Sequence, residues 1–79
     1  MKKIKKDIAR GHKQREIISR INSGEKVTFK DIYYKSQGYY GFACQSWYNL
    51  INRIKEAGYN LQIIPGKLGG TWTEKIFLN

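Results

Sequence analysis

CQSWYNLINRIKEAGYNLQII, residues 44–64, carries two periodicities in succession. Up to Ala57 the apolar residues recur at helical spacing, and Trp47, Leu50, Ile51, Ile54 and Ala57 form one stripe. After Gly58 the period drops to two, with Tyr59, Leu61 and Ile63 alternating with Asn60 and Gln62. The stretch therefore predicts a helix from about Cys44 or Ser46 to Ala57, closed by Gly58 as its C-terminal cap, and then a strand.

Downstream, Pro65-Gly66 and Gly69-Gly70 bracket Lys67 and Leu68, which reads as a hairpin loop. Thr71 to Leu78 is rich in Thr, Trp, Ile and Phe and reads as a second strand, so 59–64 and 71–78 are expected to pair antiparallel. Upstream, Ile17, Ile18 and Ile21 share one face of a first helix from about Lys13 to Asn22, with Gln14, Arg15, Ser19 and Arg20 placed elsewhere on the wheel. Ser23-Gly24 ends it, and Glu25, Lys26 and Val27 form a short extended link. Thr28-Phe29-Lys30-Asp31 has the outline of a capping box opening a second helix, lined by Phe29, Ile32 and Tyr33, which ends by Ser36-Gln37-Gly38. Gly38-Tyr39-Tyr40-Gly41 reads as a turn. Trp47, Leu50, Ile51 and Ile54 are expected to bury against Ile17, Ile18, Ile21 and Ile32, because a chain this short has room for one core.

Seventy-nine residues make one domain, read as a basic arm over 1–12, flexible or partly helical, and a folded unit over 13–79. Ile4 and Ile8 are four apart, so one helical turn of the arm presents both to a core. Fifteen basic residues against six acidic ones give a formal charge of +9. Such a balance attracts polyanions: DNA, RNA, an anionic membrane surface or an acidic protein. Residues 1–20 hold eight basic side chains (Lys2, Lys3, Lys5, Lys6, Arg10, Lys13, Arg15, Arg20) against Asp7 and Glu16, an excess of six charges. The plainer reading of that excess is a solvated tail.

Catalytic chemistry finds little support. Cys44 is the sole cysteine and His12 the sole histidine, so the usual zinc spacings are absent and no internal disulfide can form. Cys44 reads as a buried structural thiol and His12 as a solvated side chain. The six carboxylates are scattered, with no close pair for acid–base work. The glycine-rich hairpin loop lacks the order of a phosphate loop and leads into a strand. No cofactor is expected. No apolar run follows the basic start, none approaches the roughly 20 residues of a membrane span and the one cysteine fits a reducing compartment, so a cytoplasmic location is expected. The leaning on Lys, Ile, Asn and Tyr, common in AT-rich genomes, points to a bacterial or phage-infected cell.

A binding face is easier to find. Opposite Trp47 on the third helix lie Gln45, Asn49, Asn52 and Glu56, flanked by Tyr48 and Arg53. Asn and Gln pair bidentately with adenine in the major groove and Arg with guanine, while Ser46 or Tyr48 suits a phosphate. Exposed helix faces are polar in any case, but asparagine is a poor helix former, and two of them mid-helix call for a reason. Lys67 in the hairpin loop and Lys2, Lys3, Lys5, Lys6, Arg10 and Lys13 in and beside the arm complete the candidate contacts. Of the aromatics crowded between Tyr33 and Tyr48, Trp47 reads as core, whereas Tyr34, Tyr39 and Tyr40 read as the exposed members.

The run from Gln14 to Leu78 resembles the small winged helix-turn-helix domains common in phages and mobile elements. The likeness rests on Gln14-Arg15-Glu16-Ile17-Ile18, Gly24, Val27-Thr28-Phe29-Lys30-Asp31-Ile32, Asn52-Arg53-Ile54-Lys55-Glu56-Ala57-Gly58-Tyr59 and the closing aromatic-aliphatic strand. It implies an α+β fold of three helices followed by a C-terminal β-hairpin wing, with Thr28 capping the second helix and the third acting as recognition helix. The Gly38–Gly41 turn is longer than that family's connection between these two helices. What the resemblance implies is a non-enzymatic protein binding double-stranded DNA, with RNA as a variant, in transcription regulation or as an accessory factor of replication or recombination. Winged helices also serve as protein-interaction modules. The alternative expectation is therefore a phage-type inhibitor docking its basic surface on an acidic host protein or nuclease complex.

Overall fold

The longest apolar stripe organises the molecule. In the computed structural model, which describes residues 3–66 and 72–78, Ala43, Trp47, Leu50, Ile51 and Ile54 are buried along one side of a helix over Tyr40–Glu56. Before it come a 3₁₀ turn at Lys6–Ile8, helix α1 (His12–Asn22), strand β1 (Val27–Thr28) and helix α2 (Phe29–Lys35). With Tyr40–Glu56 as α3, strands β2 (Leu61–Ile64) and β3 (Lys75–Leu78) follow. The fold is α+β: three helices against a three-stranded antiparallel sheet in the order β1-β3-β2.

The hairpin forms, with Leu61 opposite Leu78, Gln62 opposite Phe77, Ile63 opposite Ile76 and Ile64 opposite Lys75. Its strands are shorter than the alternation suggested: Tyr59 and Asn60 precede β2, and Trp72 and Thr73 lie in a turn before β3. The tip of the loop, Lys67 to Thr71, falls outside the described residues. The sheet also has a third strand that the expected two-stranded wing lacked. The end of the Glu25–Val27 link is β1, and Val27 lies opposite Ile76 with both side chains buried. The Phe29 N–H donates to the Glu74 carbonyl at 3.0 Å, extending the pairing to the start of α2.

The expected capping box forms at α2, where the Thr28 N–H donates to Asp31 Oδ2 at 3.2 Å. Asp31 also meets Arg20 Nη1 at 2.8 Å, tying α2 to α1. The start of α3 corrects the sequence expectation. Tyr40 and Gly41 are helical, so the connection to α2 is only Ser36–Tyr39. Gln37 and Gly38 both take positive φ, 58° and 83°, and reverse the chain within two residues. A helix with a buried Ala43 then starts one turn earlier than its Trp47 stripe suggested. At the other end Gly58 closes the helix at φ 91°, and Ala57 is exposed instead of completing the buried stripe.

The core is one cluster. It joins Ile17, Ile18 and Ile21 of α1, Ile32 of α2 and Trp47, Leu50, Ile51 and Ile54 of α3, the packing expected from the stripes, and adds Val27, Phe29, Leu61 and Ile76. Phe29 sits among aromatic neighbours, with ring centroids of Tyr40 at 5.7 Å, Trp47 at 5.8 Å and Trp72 at 6.2 Å. The Trp47 indole N–H donates to Glu74 Oε1 at 2.6 Å, so the buried ring keeps a polar partner.

The basic arm is part of this core. Ile4 is 2% exposed and Ala9 is buried. The Asn22 side chain clamps the Ile4 backbone: Oδ1 accepts the Ile4 N–H at 2.8 Å and Nδ2 donates to the Ile4 carbonyl at 3.0 Å. The Lys5 N–H donates to the Tyr59 hydroxyl at 3.1 Å.

Candidate nucleic-acid interface

Helix α3 packs against α2, β2 and the 3₁₀ turn of the arm, and its remaining side meets solvent. Gln45, Tyr48, Asn49, Asn52 and Glu56 are exposed there, as the wheel requires once Trp47 points inward. The amides of Gln45, Asn49 and Asn52 thus lie on the open surface of one rigid helix. Tyr34 and Tyr39, 67% and 69% exposed, and Tyr40 stand beside the α2–α3 turn.

Arg53 and Ser46 lie closer to the body. Arg53 is half-buried; its Nε donates to the Ile8 carbonyl at 3.0 Å and its Nη2 to Gln14 Oε1. Burial, and after it the charge of Arg10, hold the Arg53 guanidinium below its ordinary value. The Ser46 hydroxyl accepts from Gln14 Nε2 at 2.9 Å. Gln14, expected elsewhere on the wheel than Ile17, Ile18 and Ile21, is only 5% exposed. It stands three, four and seven residues before Ile17, Ile18 and Ile21, and that spacing puts it on their face. Its burial is possible because both ends of the amide are bonded, with Oε1 also accepting the Arg10 N–H at 2.8 Å.

These contacts create a shallow groove of about 330 Å³ between the arm and α3, lined by Arg10, Gln14, Phe42, Gln45, Ser46, Asn49 and Arg53. Lys13 lies at an adjoining hollow, its Nζ 5.9 Å from the centroid of the Phe42 ring. The fold therefore brings Arg10, Lys13, Gln45, Ser46, Asn49 and Arg53 together. Lys3 and Lys6 line a separate depression with Ser19 and Asn22 of α1 and Ser23 just after it. Lys2 and Lys67 fall outside the described residues.

Phe42 and Gln14 are the groove residues that the sequence reading passed over. Phe42 precedes Ser46, Asn49 and Arg53 by steps of four, three and four, one continuous stripe of α3. The stripe becomes legible only when the helix is known to begin at Tyr40. Among the described residues no group of three His, Cys, Asp or Glu side chains is placed to hold a metal ion. No helix of the described residues is long and apolar enough to cross a membrane. No protein-family model, no curated protein and no solved structure matches the chain.

Proposed function

We propose that this protein is a non-enzymatic winged-helix module that binds double-stranded DNA, with the open face of α3 in the major groove. One observation carries the reading: Gln45, Asn49 and Asn52 are exposed together on α3, beside a groove lined by Arg10 and Arg53 and an adjoining hollow that holds Lys13. Neutral amides suit base edges, and cations suit the flanking phosphates. The helix–strand–helix–helix–hairpin order supports the winged-helix assignment, in which the β2–β3 hairpin is the wing and Lys67, in its 65–70 loop, a phosphate contact. On this reading the module acts in transcription regulation or as an accessory factor of replication or recombination.

The test compares duplex DNA, single-stranded DNA and RNA across a salt series. Duplex should bind best, and contacts to about six phosphates give a log–log salt slope of about −5. Equal affinity for all three would reduce the protein to a non-specific polycation. A second reading, a protein-interaction module docking on an acidic partner, is favoured by the exposed Tyr34, Tyr39 and Tyr40. It requires that duplex DNA bind weakly and that Tyr39→Ser abolish capture of the partner.

A further inference from the structure

Arg20 and Lys35 face carboxylates: Arg20 meets Asp31 and Glu25, and Lys35 meets Glu16. Arg10 and Arg53 do not. Both line the groove between the arm and α3, no carboxylate lines it with them, and neither forms an ion pair among the described residues. Two guanidinium groups thus share one concave site with each other's charge and no counter-charge.

We infer that this groove is a phosphodiester seat, in which Arg10 and Arg53 grip one backbone phosphate and the Phe42 ring packs against the adjoining sugar. The inference rests on the DNA reading and gives one of its contacts a place. Arg53 is already held in position, because its Nε and Nη2 are bonded to the Ile8 carbonyl and to Gln14. Those acceptors are neutral, so they fix the guanidinium without cancelling its charge. Gln14 is itself fixed by Ser46 and by the Arg10 backbone. An anion entering the groove meets a charge whose orientation needs no further ordering. It also relieves the repulsion that, after burial, depresses Arg53.

The ring beside these cations narrows the class of anion. Phe42 is 62% exposed, a large apolar surface left open on a rigid helix. A phosphate flanked by an apolar sugar face matches cations flanked by an aromatic ring. A peptide carboxylate offers the charge without that neighbour. Asn49 lies on the same stripe of α3, so a phosphate held here sets the register of the amides that meet the bases.

The test uses the full chain, a short DNA duplex and inorganic pyrophosphate. Arg10→Gln keeps the backbone N–H that Gln14 accepts, and the side chain is exposed, so the fold is retained. It should lower the magnitude of the log–log salt slope by about 0.9 and the affinity roughly tenfold at about 0.1 M salt, equally for all duplex sequences. Phe42→Ala should weaken duplex binding several-fold with the slope unchanged. Lys26→Gln, away from the groove, serves as the control. Pyrophosphate should shift the amide resonances of Arg10 to Gln14 and Ser46 in the parent and not in Arg10→Gln. Parent-like slope and affinity in Arg10→Gln would overturn the seat while leaving DNA binding standing. Absence of duplex binding by the parent, with pyrophosphate still shifting these amides, would overturn the DNA reading and leave a phosphate site. Shifts caused by an oligoglutamate peptide and not by pyrophosphate would overturn the seat in favour of an acidic protein partner.

Discussion

Gln14 shows how one residue links the fold to the surface. Its amide accepts the Arg10 N–H, accepts from Arg53 and donates to Ser46, so a single buried side chain joins the arm, α1 and α3. Gln14→Ala should remove these partners together and cost about 1–3 kcal/mol for each donor left buried and unbonded. A urea titration measures that loss; stability within about 0.5 kcal/mol of the parent would mean that water replaces the amide without penalty. Gln14 also marks a limit of reading by residue type. Its spacing argues for burial and its polarity for solvent, and the conflict is resolved only by partners from the arm and α3, which no local pattern displays. Apolar residues raise no such conflict. Ile54 was legible as core, and Ile54→Ala should cost about 2–5 kcal/mol in the same titration. Asn52, exposed on the opposite side of the helix, should tolerate alanine within about 0.5 kcal/mol. Equal losses at the two sites would place the wrong face of α3 outward and remove the proposed contacts with it.

Elements were legible in proportion to their length and to the locality of what holds them. Helix α1 and the C-terminal two-thirds of α3 repeat an apolar stripe several times, and α2 announces itself by the capping box at Thr28 and Asp31. Strand β1 has two residues, too few to show a period, and exists because Val27 finds Ile76 far along the chain. The first turn of α3 was hidden because Gly41 and two tyrosines look like a turn, although Gln37 and Gly38 complete the reversal before them. The arm was only partly legible for a related reason. Its lysines suggest a tail and the Ile4–Ile8 spacing a turn against the core, while what orders it is Ile4 in the core and Asn22 on its backbone. Deleting residues 1–12 would therefore mix two effects, since Ile4 and Ala9 leave the core together with the charges. The charge effect is isolated by Lys3→Gln, Lys5→Gln and Lys6→Gln combined, all exposed sites. Stability should stay within about 0.5 kcal/mol per site, while duplex affinity becomes less dependent on salt. Ile4→Ala should do the reverse to stability, lowering it by about 2–5 kcal/mol. An unchanged salt slope in the triple variant would show that Lys3, Lys5 and Lys6 touch no phosphate.

At the scale of the whole molecule, arm, helices and sheet share one apolar cluster that runs from Ile4 to Ile76. The radius of gyration, 11.6 Å, is that of a single packed body of this size, for which about 11–12 Å is expected. A chain of 79 residues buries too little surface to support two independent cores, so no part has a separate source of stability. The molecule should therefore unfold in one step. The two probes that test this lie at different places. Indole fluorescence follows Trp47 in the centre, where its N–H meets Glu74, together with Trp72 packed on Phe29, and amide exchange at Ile4 follows the arm, where that N–H meets Asn22. Both should report the same free energy of opening in increasing urea, and Ile4→Ala should shift both midpoints together. Exchange at Ile4 that is far faster than global unfolding allows would mean that the arm opens alone. The outcome decides how the proposed groove meets its ligand. An arm that opens only with the whole fold presents Arg10 and Arg53 already side by side, and binding then needs no folding step. The duplex affinity should accordingly be unchanged when the Ile8–Arg53 contact is rigidified, and should fall when Ile4→Ala loosens the arm under conditions where the core remains folded.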